Sequence, residues 1–355
     1  MRDRVSNKRR FLWLLSLVFS IIGVVVCGIT LLVNRDYQKP LSPHQIGNKP
    51  AFIEQVKEKG FPFSFLLISD THNDERAYVL LKEMVKGSDA SFMIHVGDAV
   101  SSPNLWMHRY FLRKMIEEVQ PPFPVFFAPG NHDIYYGYQA VPEDRRVTER
   151  VFESLYGSRS FDFTYNHCLF ILCGVDLKRP GVFVDDLRSV LSKQAAGKKR
   201  IFIFLHFPPS AVIPGFDFPR EKEFLSLLES YRVTACFFGH YHGYRHLQTH
   251  GTNMIVLGGG GGALKSWQSD WGKFHHGLKI TVSEDALTED IMTLPKEVIL
   301  HHSLSWWIVV DVLPLVHDQT WIVYLLGFGF LGGAFGSLRA LKSTGRTKNI
   351  LKGQG

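Results

Sequence analysis

Seven short apolar runs constrain the fold of this chain more than any other feature; they lie at residues 63–68, 92–96, 125–128, 169–172, 201–205, 235–238 and 254–257. Runs of that length read as buried strands rather than helices. Between several of them lie segments of helical character, at residues 75–86, 104–119, 143–155, 185–193 and 221–230. Buried strands alternating with helices predict an α/β domain whose sheet faces are covered.

Residues of metal-binding type follow these runs directly: Ser69-Asp70-Thr71-His72, Gly97-Asp98, Gly130-Asn131-His132-Asp133, His206 and Gly239-His240-Tyr241-His242. Ligands of open α/β sheets collect beyond the carboxyl ends of the strands, so this placement gathers all five clusters on one rim. Asp70 and His72 stand two apart in a strand-exit loop and can turn to one cation. Asp98 can offer one oxygen to each of two cations, and Asn131 a neutral amide oxygen. His206, His240 and His242 add imidazole nitrogens. A mixed oxygen and nitrogen set suits manganese, iron or zinc better than magnesium or calcium. Two divalent cations in one site serve phosphate-ester hydrolysis, because they clamp the attacking and the leaving oxygen. No cysteine lies near the clusters, which excludes a structural thiolate zinc site. The four cysteines, Cys27, Cys168, Cys173 and Cys236, outline no disulfide framework.

The series D-x-H, G-D, G-N-H-D, H and G-H-x-H, in that order, resembles the calcineurin-like metallophosphoesterase family over residues 62–295. The resemblance implies a four-layer α-β-β-α sandwich of two mixed sheets with a dinuclear centre at the strand ends. By position, it implies that Asp70, His72 and His242 bind one metal, that Asn131, His206 and His240 bind the other, and that Asp98 bridges them. It assigns His132 to the leaving group, with Asp133 orienting that imidazole or, equally, capping its loop. The nucleophile would be water activated between the metals. Protein serine/threonine phosphatases of this superfamily continue G-D toward Asp-Arg-Gly, whereas Asp98 is followed by Ala99-Val100-Ser101-Ser102-Pro103. Purple acid phosphatases place a metal-binding tyrosine where Ser101 stands. The D-x-H cluster resembles bacterial phosphodiesterase-like members.

Two charge-free stretches bracket this domain. Residues 11–33 form an apolar run long enough to cross a bilayer as a helix, and residues 319–338 form a second, glycine-rich one. Basic residues precede the first and follow the second, so both tails, 1–10 and 339–355, are expected in the cytoplasm and the catalytic domain on the periplasmic or extracytoplasmic face of the cell membrane. The first run is longer than a signal-peptide core and reads as an uncleaved anchor. Residues 34–61 read as a linker, and 296–318 as a juxtamembrane, interfacial segment.

The net charge of +7 does not mark a nucleic-acid binder. Residues 1–36 carry six basic and two acidic side chains and residues 339–355 five basic and none acidic, which leaves −2 for the middle. Nucleic acid is thereby disfavoured as a partner. A membrane-proximal or lipid-linked phosphoester fits the two anchors. The competing readings are a metal-binding scaffold without turnover and, among enzymes, a nuclease. The glycine spacing around Gly329 and Gly333 fits a helix-mediated homodimer. His95 reads as a core histidine, and His275-His276 and His301-His302 as surface or interface residues. The five glycines at 258–262 read either as a phosphate-cradling nest or as a turn passing close to the site.

Overall fold

The computed structural model describes residues 2–37, 39–42, 44–264, 272–294 and 307–352. These fall into two compact units, Leu41–Val310 and the paired termini Met1–Pro40 with Asp311–Gly355.

In the larger unit the seven expected strands are present as β1 (Phe63–Ile68), β2 (Met93–His95), β3 (Val125–Phe127), β5 (Cys168–Cys173), β6 (Arg200–Leu205), β7 (Ala235–Phe238) and β9 (Thr252–Leu257). Four more strands occur that the apolar runs did not reveal: β4 (Phe161–Tyr165), β8 (Tyr244–Thr249), β10 (His276–Val282) and β11 (Leu287–Thr293). Three of the four, β4, β8 and β11, lie at sheet edges and carry alternating or mixed polarity, so no continuous apolar run marks them. The strands form two mixed sheets, ordered β11-β10-β1-β2-β3 and β4-β5-β6-β7-β9-β8. Within each, a parallel block (β1-β2-β3, and β5-β6-β7-β9) is flanked by antiparallel strands.

Register sets where the loops emerge. Ile68 pairs with His95 and His95 with Phe127, so β1, β2 and β3 end almost flush. The same holds for β6, β7 and β9 through Phe204–Phe237 and Phe238–Val256. Parallel strands that end together release their exit loops side by side, which is the geometric origin of the rim.

The period-2 alternation of the strands divides the core in two. Inward side chains of both sheets, among them Phe65, Phe92, Phe126, Phe163, Phe170, Phe202, Phe204 and Phe237, form one buried aromatic layer. Phe163 stacks on Phe170 at 5.0 Å, and Phe204 on Phe237 at 5.1 Å. Each such ring contributes roughly 1.5–3 kcal/mol by burial. Outward residues such as Ile171, Ile203, Leu205 and Val256 pack instead against helices Val182–Gln194 and Glu221–Ser230. On the other sheet, Phe111 of helix Leu105–Arg113 packs on His95 and Phe127. Asp74 and Asn104 cap helices Glu75–Val85 and Leu105–Arg113 by accepting from the amides of Arg76 and Trp106. Residues 114–119, expected to continue the second of these, do so as a π-helical turn ended by Gln120 in the left-handed region.

Part of the expected linker is docked. Ile46 bridges to Val125, and the buried Asn48 side chain exchanges hydrogen bonds with the backbone of Phe127, accepting at 2.8 Å and donating at 2.7 Å. An amide side chain mimics a peptide group, so Asn48 covers the open edge of β3. Within the expected linker, Pro50–Glu54 forms a short helix.

The second unit pairs two long helices, Arg2–Tyr37 and Thr320–Lys352. Their spans Asn7–Arg35 and Thr320–Lys342 are long and apolar enough to cross a membrane, with mean hydropathy 2.7 and 1.6. Ser16 and Ser337 hydrogen-bond at 3.0 Å, and Phe19 meets Phe330 edge to face. A Cβ on Gly333 would come within 2.8 Å of the Ser20 hydroxyl, so this glycine serves the contact between the chain's own two helices. Of the interfacial segment, residues 296–306, with His301-His302, lie outside the described residues; 313–318 are helical.

Candidate metal centre

The five clusters meet on the rim. Three groups of donors, Asp70 with His72 and His242, His72 with Asp98 and His132, and Asp98 with His206 and His240, each converge closely enough to hold a cation. Asn131 joins them, its Oδ1 lying 3.0 Å from Nδ1 of His240. Asp70, His72, Asp98 and His240 all adopt left-handed backbone, with φ of 55°, 48°, 54° and 67°. Each costs about 1–2 kcal/mol for a residue with a Cβ, and such strain concentrates at functional sites.

Backbone carbonyls fix the imidazole tautomers. Val96 O lies 2.8 Å from Nδ1 of His206, Ala263 O 2.8 Å from Nδ1 of His242, and Ser101 O 2.7 Å from Nδ1 of His132. A carbonyl only accepts, so each Nδ1 carries the proton and each neutral ring presents an Nε2 lone pair. Those lone pairs point at the site. Nε2 of His242 accepts from Nε2 of His72 at 3.2 Å and lies 3.4 Å from Asp70 Oδ1. Nε2 of His206 is buried and makes no hydrogen bond, although Asp98 Oδ2 is 3.2 Å away. Buried nitrogens and carboxylates left facing one another in this way fit a cation between them.

The carboxylates are fully buried and held by donors. Asp70 accepts from the Ser69 hydroxyl at 2.6 Å and from the His240 amide at 3.0 Å. Asp98 Oδ1 accepts from the His132 amide at 2.8 Å. Burial would raise the Asp98 carboxyl, but the His206 imidazole outweighs it and holds the group far below its usual range. His206 shows the reciprocal effect: burial lowers it, Asp98 overrides that, and the imidazole rises to about 9, so a cation bound here would displace the Nε2 proton.

Asp133 stands where orientation of His132 was one expectation, and it does not touch that ring. Its carboxylate accepts from the amides of Asp98 (2.8 Å), Ala99 (2.9 Å) and Gly130 (2.8 Å), tying the two ligand loops together. The orienting contact to His132 comes from Ser101 O, and the Ser101 hydroxyl also bonds to His72 O. The glycine run is likewise decided by its hydrogen bonds. The amides of Gly260, Gly261 and Gly262 donate to the carbonyls of Ser69 and Asp70, so these three do not cradle a phosphate. A Cβ at Gly262 would meet His242 at 2.6 Å, and one at Gly260 the Ser69 carbonyl at 2.2 Å. The run is a close backbone passage beneath the ligand loop.

His95 is buried as expected, but only Nε2 is satisfied, by Thr71 Oγ1 at 3.1 Å. His276, expected at a surface, is buried beside Tyr244 because its strand lies inside the sheet. Two residues near the site were not expected: Tyr138 and Gln139 both donate to the backbone carbonyl of Asn131, at 3.1 and 2.9 Å. The tyrosine-rich segment 135–138 directly after the G-N-H-D cluster was the available signal.

Residues 63–244, just over half the chain, match the family model for calcineurin-like phosphoesterase. The fold superposes on the purple acid phosphatase PPD1 from yellow lupin (Lupinus luteus) seeds with a TM-score of 0.54 at 13% identity, covering 66% of this chain and 52% of that one. The chain thus spans about half the length of that phosphatase. More distant superpositions join it to GAP50, the anchor in the inner membrane complex of Plasmodium (TM-score 0.43, 15% identity, 71% of this chain and 96% of that one). A protein from Thermus thermophilus is comparable (TM-score 0.43, 12% identity, 65% and 99%). No curated protein matches the chain. Two mixed sheets with covering helices, a rim of converging carboxylates and imidazoles, and the match over residues 63–244 together place this chain in the calcineurin-like phosphoesterase family.

Proposed function

We propose that this chain is a membrane-anchored phosphoesterase that hydrolyses phosphate mono- or diesters with two divalent cations of manganese, iron or zinc type. The observation that carries the reading is the convergence of imidazole nitrogens and buried carboxylates, above all Nε2 of His206 facing Asp98 and Nε2 of His72 facing that of His242. Asp70, His72 and His242 would hold one cation and Asn131, His206 and His240 the other, with Asp98 between them. When bound, such cations acidify the attacking water and draw charge from the phosphoryl oxygens. His132 is anchored through Nδ1, stands partly exposed and turns Nε2 to within 4.0 Å of Asp98 Oδ2, so as imidazolium it would protonate the departing alcohol. Asp133 acts as a positioning residue by clamping the loops that bear Asp98 and His132.

The anchoring part rests on the two apolar helices and their basic flanks. Residues 62–295 would form the catalytic domain on the extracytoplasmic side, with both tails in the cytoplasm and a membrane-proximal or lipid-linked phosphoester as substrate. Thiol labelling of cysteines introduced near residues 60 and 350 tests this: labelling of both from the same side rejects the topology.

The chemistry is tested by metal analysis joined to hydrolysis of p-nitrophenyl phosphate and bis(p-nitrophenyl) phosphate with added manganese. Asp98→Asn should lose metal and activity together, whereas His132→Ala should lose activity and keep most of the metal. Equal metal loss in both rejects the division of roles. Metal binding without turnover of any phosphoester would leave a metal-binding scaffold.

A further inference from the structure

Tyr138 is the most exposed large apolar side chain described in the larger unit, at 61%. The Tyr138 hydroxyl donates to the carbonyl of Asn131, and the Gln139 amide donates to the same carbonyl. This exposed residue is therefore tethered by its polar end to the carbonyl of Asn131, the residue next to His132.

Asn131 leads to more aromatic surface. Its Oδ1 lies 3.0 Å from His240, and the half-buried rings of Phe207 and Phe216 stand 4.9 and 5.4 Å from the His240 ring. Those two rings are within 17° of parallel. Among the described residues, the His72 and His242 side is bounded by the Gly262 backbone and the Ala263 carbonyl. Among the described residues the ion pairs of Asp70 and Asp98 are all with imidazoles, and no lysine or arginine joins them. The surroundings of Asn131 and His240 thus offer π faces rather than cations to the part of a substrate that lies beyond its phosphate.

We propose that this aromatic rim, with Tyr138 as its open stacking face, makes the site selective for phosphoesters of an alcohol that carries a flat ring. The inference rests on the phosphoesterase reading and names a substrate class for that site. Stacking on Tyr138 holds the alcohol over Asn131 while the phosphate sits among the converging donors. The ring does the work; the hydroxyl only aims it.

The test uses the full chain with manganese and three substrates: phenyl phosphate, adenosine monophosphate and glycerol phosphate. Tyr138→Ala should lower kcat/KM for the two ring-bearing esters about tenfold relative to glycerol phosphate, and Tyr138→Phe, which keeps the ring and loses only its tether, should lower it clearly less. A loss confined to phenyl phosphate or to the nucleotide supports the platform and narrows its ligand to that ring. An equal loss on all three substrates overturns the proposal. So does a Tyr138→Phe variant as impaired in the ratio as Tyr138→Ala, because the tether alone would then explain the effect. Calorimetric titration with phenylphosphonate and methylphosphonate separates this from the chemistry. A preference for phenylphosphonate that vanishes in Tyr138→Ala supports the rim even if no ester is turned over, and absence of turnover then counts against the phosphoesterase reading alone. Equal binding of the two phosphonates by the wild type sinks the rim.

Discussion

The two sheets of the larger unit bring unlike chemistry to a shared rim. The loops after β1, β2 and β3 supply every oxygen donor, Asp70, Asp98 and Asn131, together with His72 and His132. The loops after β6 and β7 supply imidazoles alone, His206, His240 and His242. Neither sheet holds a complete set, and each of the three converging groups except His72–Asp98–His132 draws on both. Negative charge gathers on one sheet and its neutral or cationic complement on the other, so the centre exists only while the aromatic layer keeps the sheets in register. What stabilises the fold and what builds the site are the same packing.

That dependence can be broken most severely in the layer itself. Phe170→Ala removes a ring that touches Phe65, Phe92, Phe163, Phe202 and Phe204 from both sheets, and should cost about 3–5 kcal/mol of stability. Denaturant unfolding measures that loss, and metal affinity should fall with it although residue 170 is not at the rim. Unchanged metal affinity in a clearly destabilised variant would show that the sheets hold their register without this ring.

A smaller effect probes one sheet alone. Ser69→Ala removes the hydroxyl that donates to Asp70 at 2.6 Å and leaves the imidazole loops untouched. Loss of such a carboxylate-orienting contact typically weakens a metal site by about 10–100-fold. Competition with a chelator reads the change, which should exceed the accompanying change in stability.

The smallest expected effect lies at the edges, where β8 of one sheet meets β11 of the other. His246 Nδ1 pairs with Glu289 at 2.9 Å, and this partner raises the imidazole above its ordinary value. A group with a raised folded pKa adds stability that is complete below its unfolded value, near 6.5, and is lost as pH climbs through the folded value. The Tm difference between wild type and Glu289→Gln should therefore be largest at mildly acid pH and shrink above neutrality. A difference that grows with pH would contradict the pairing. The pair is partly exposed, so the whole effect should be small.

Much of this was legible from the chain. Each of the seven apolar runs became a strand within a residue or two of its expected ends, because a strand buried on both faces writes itself as a continuous apolar run. The clusters were legible because they sit immediately beyond those runs. Strands β4, β8 and β11 were not, since their alternating or mixed polarity has meaning only once a neighbouring strand decides which face is inside. The role of Asp133 was equally hidden. Its three amide partners come from two loops that the sequence separates by more than thirty residues, and only strand register brings them together.

By itself, then, the sequence determined the order of the seven buried strands and the helices between them, the two apolar termini and the identity of the candidate donor residues, all of which depend on local periodicity and composition. Tertiary structure decided which carbonyl holds each imidazole, that the glycine amides of 260–262 are spent on Ser69 and Asp70, and that Tyr138 is tied to Asn131 with its ring exposed. Those outcomes depend on distances of about 3 Å between segments far apart in the chain, within which hydrogen bonds form and beyond which they do not. The five clusters name the chemistry; the packing of two sheets against each other makes it a site.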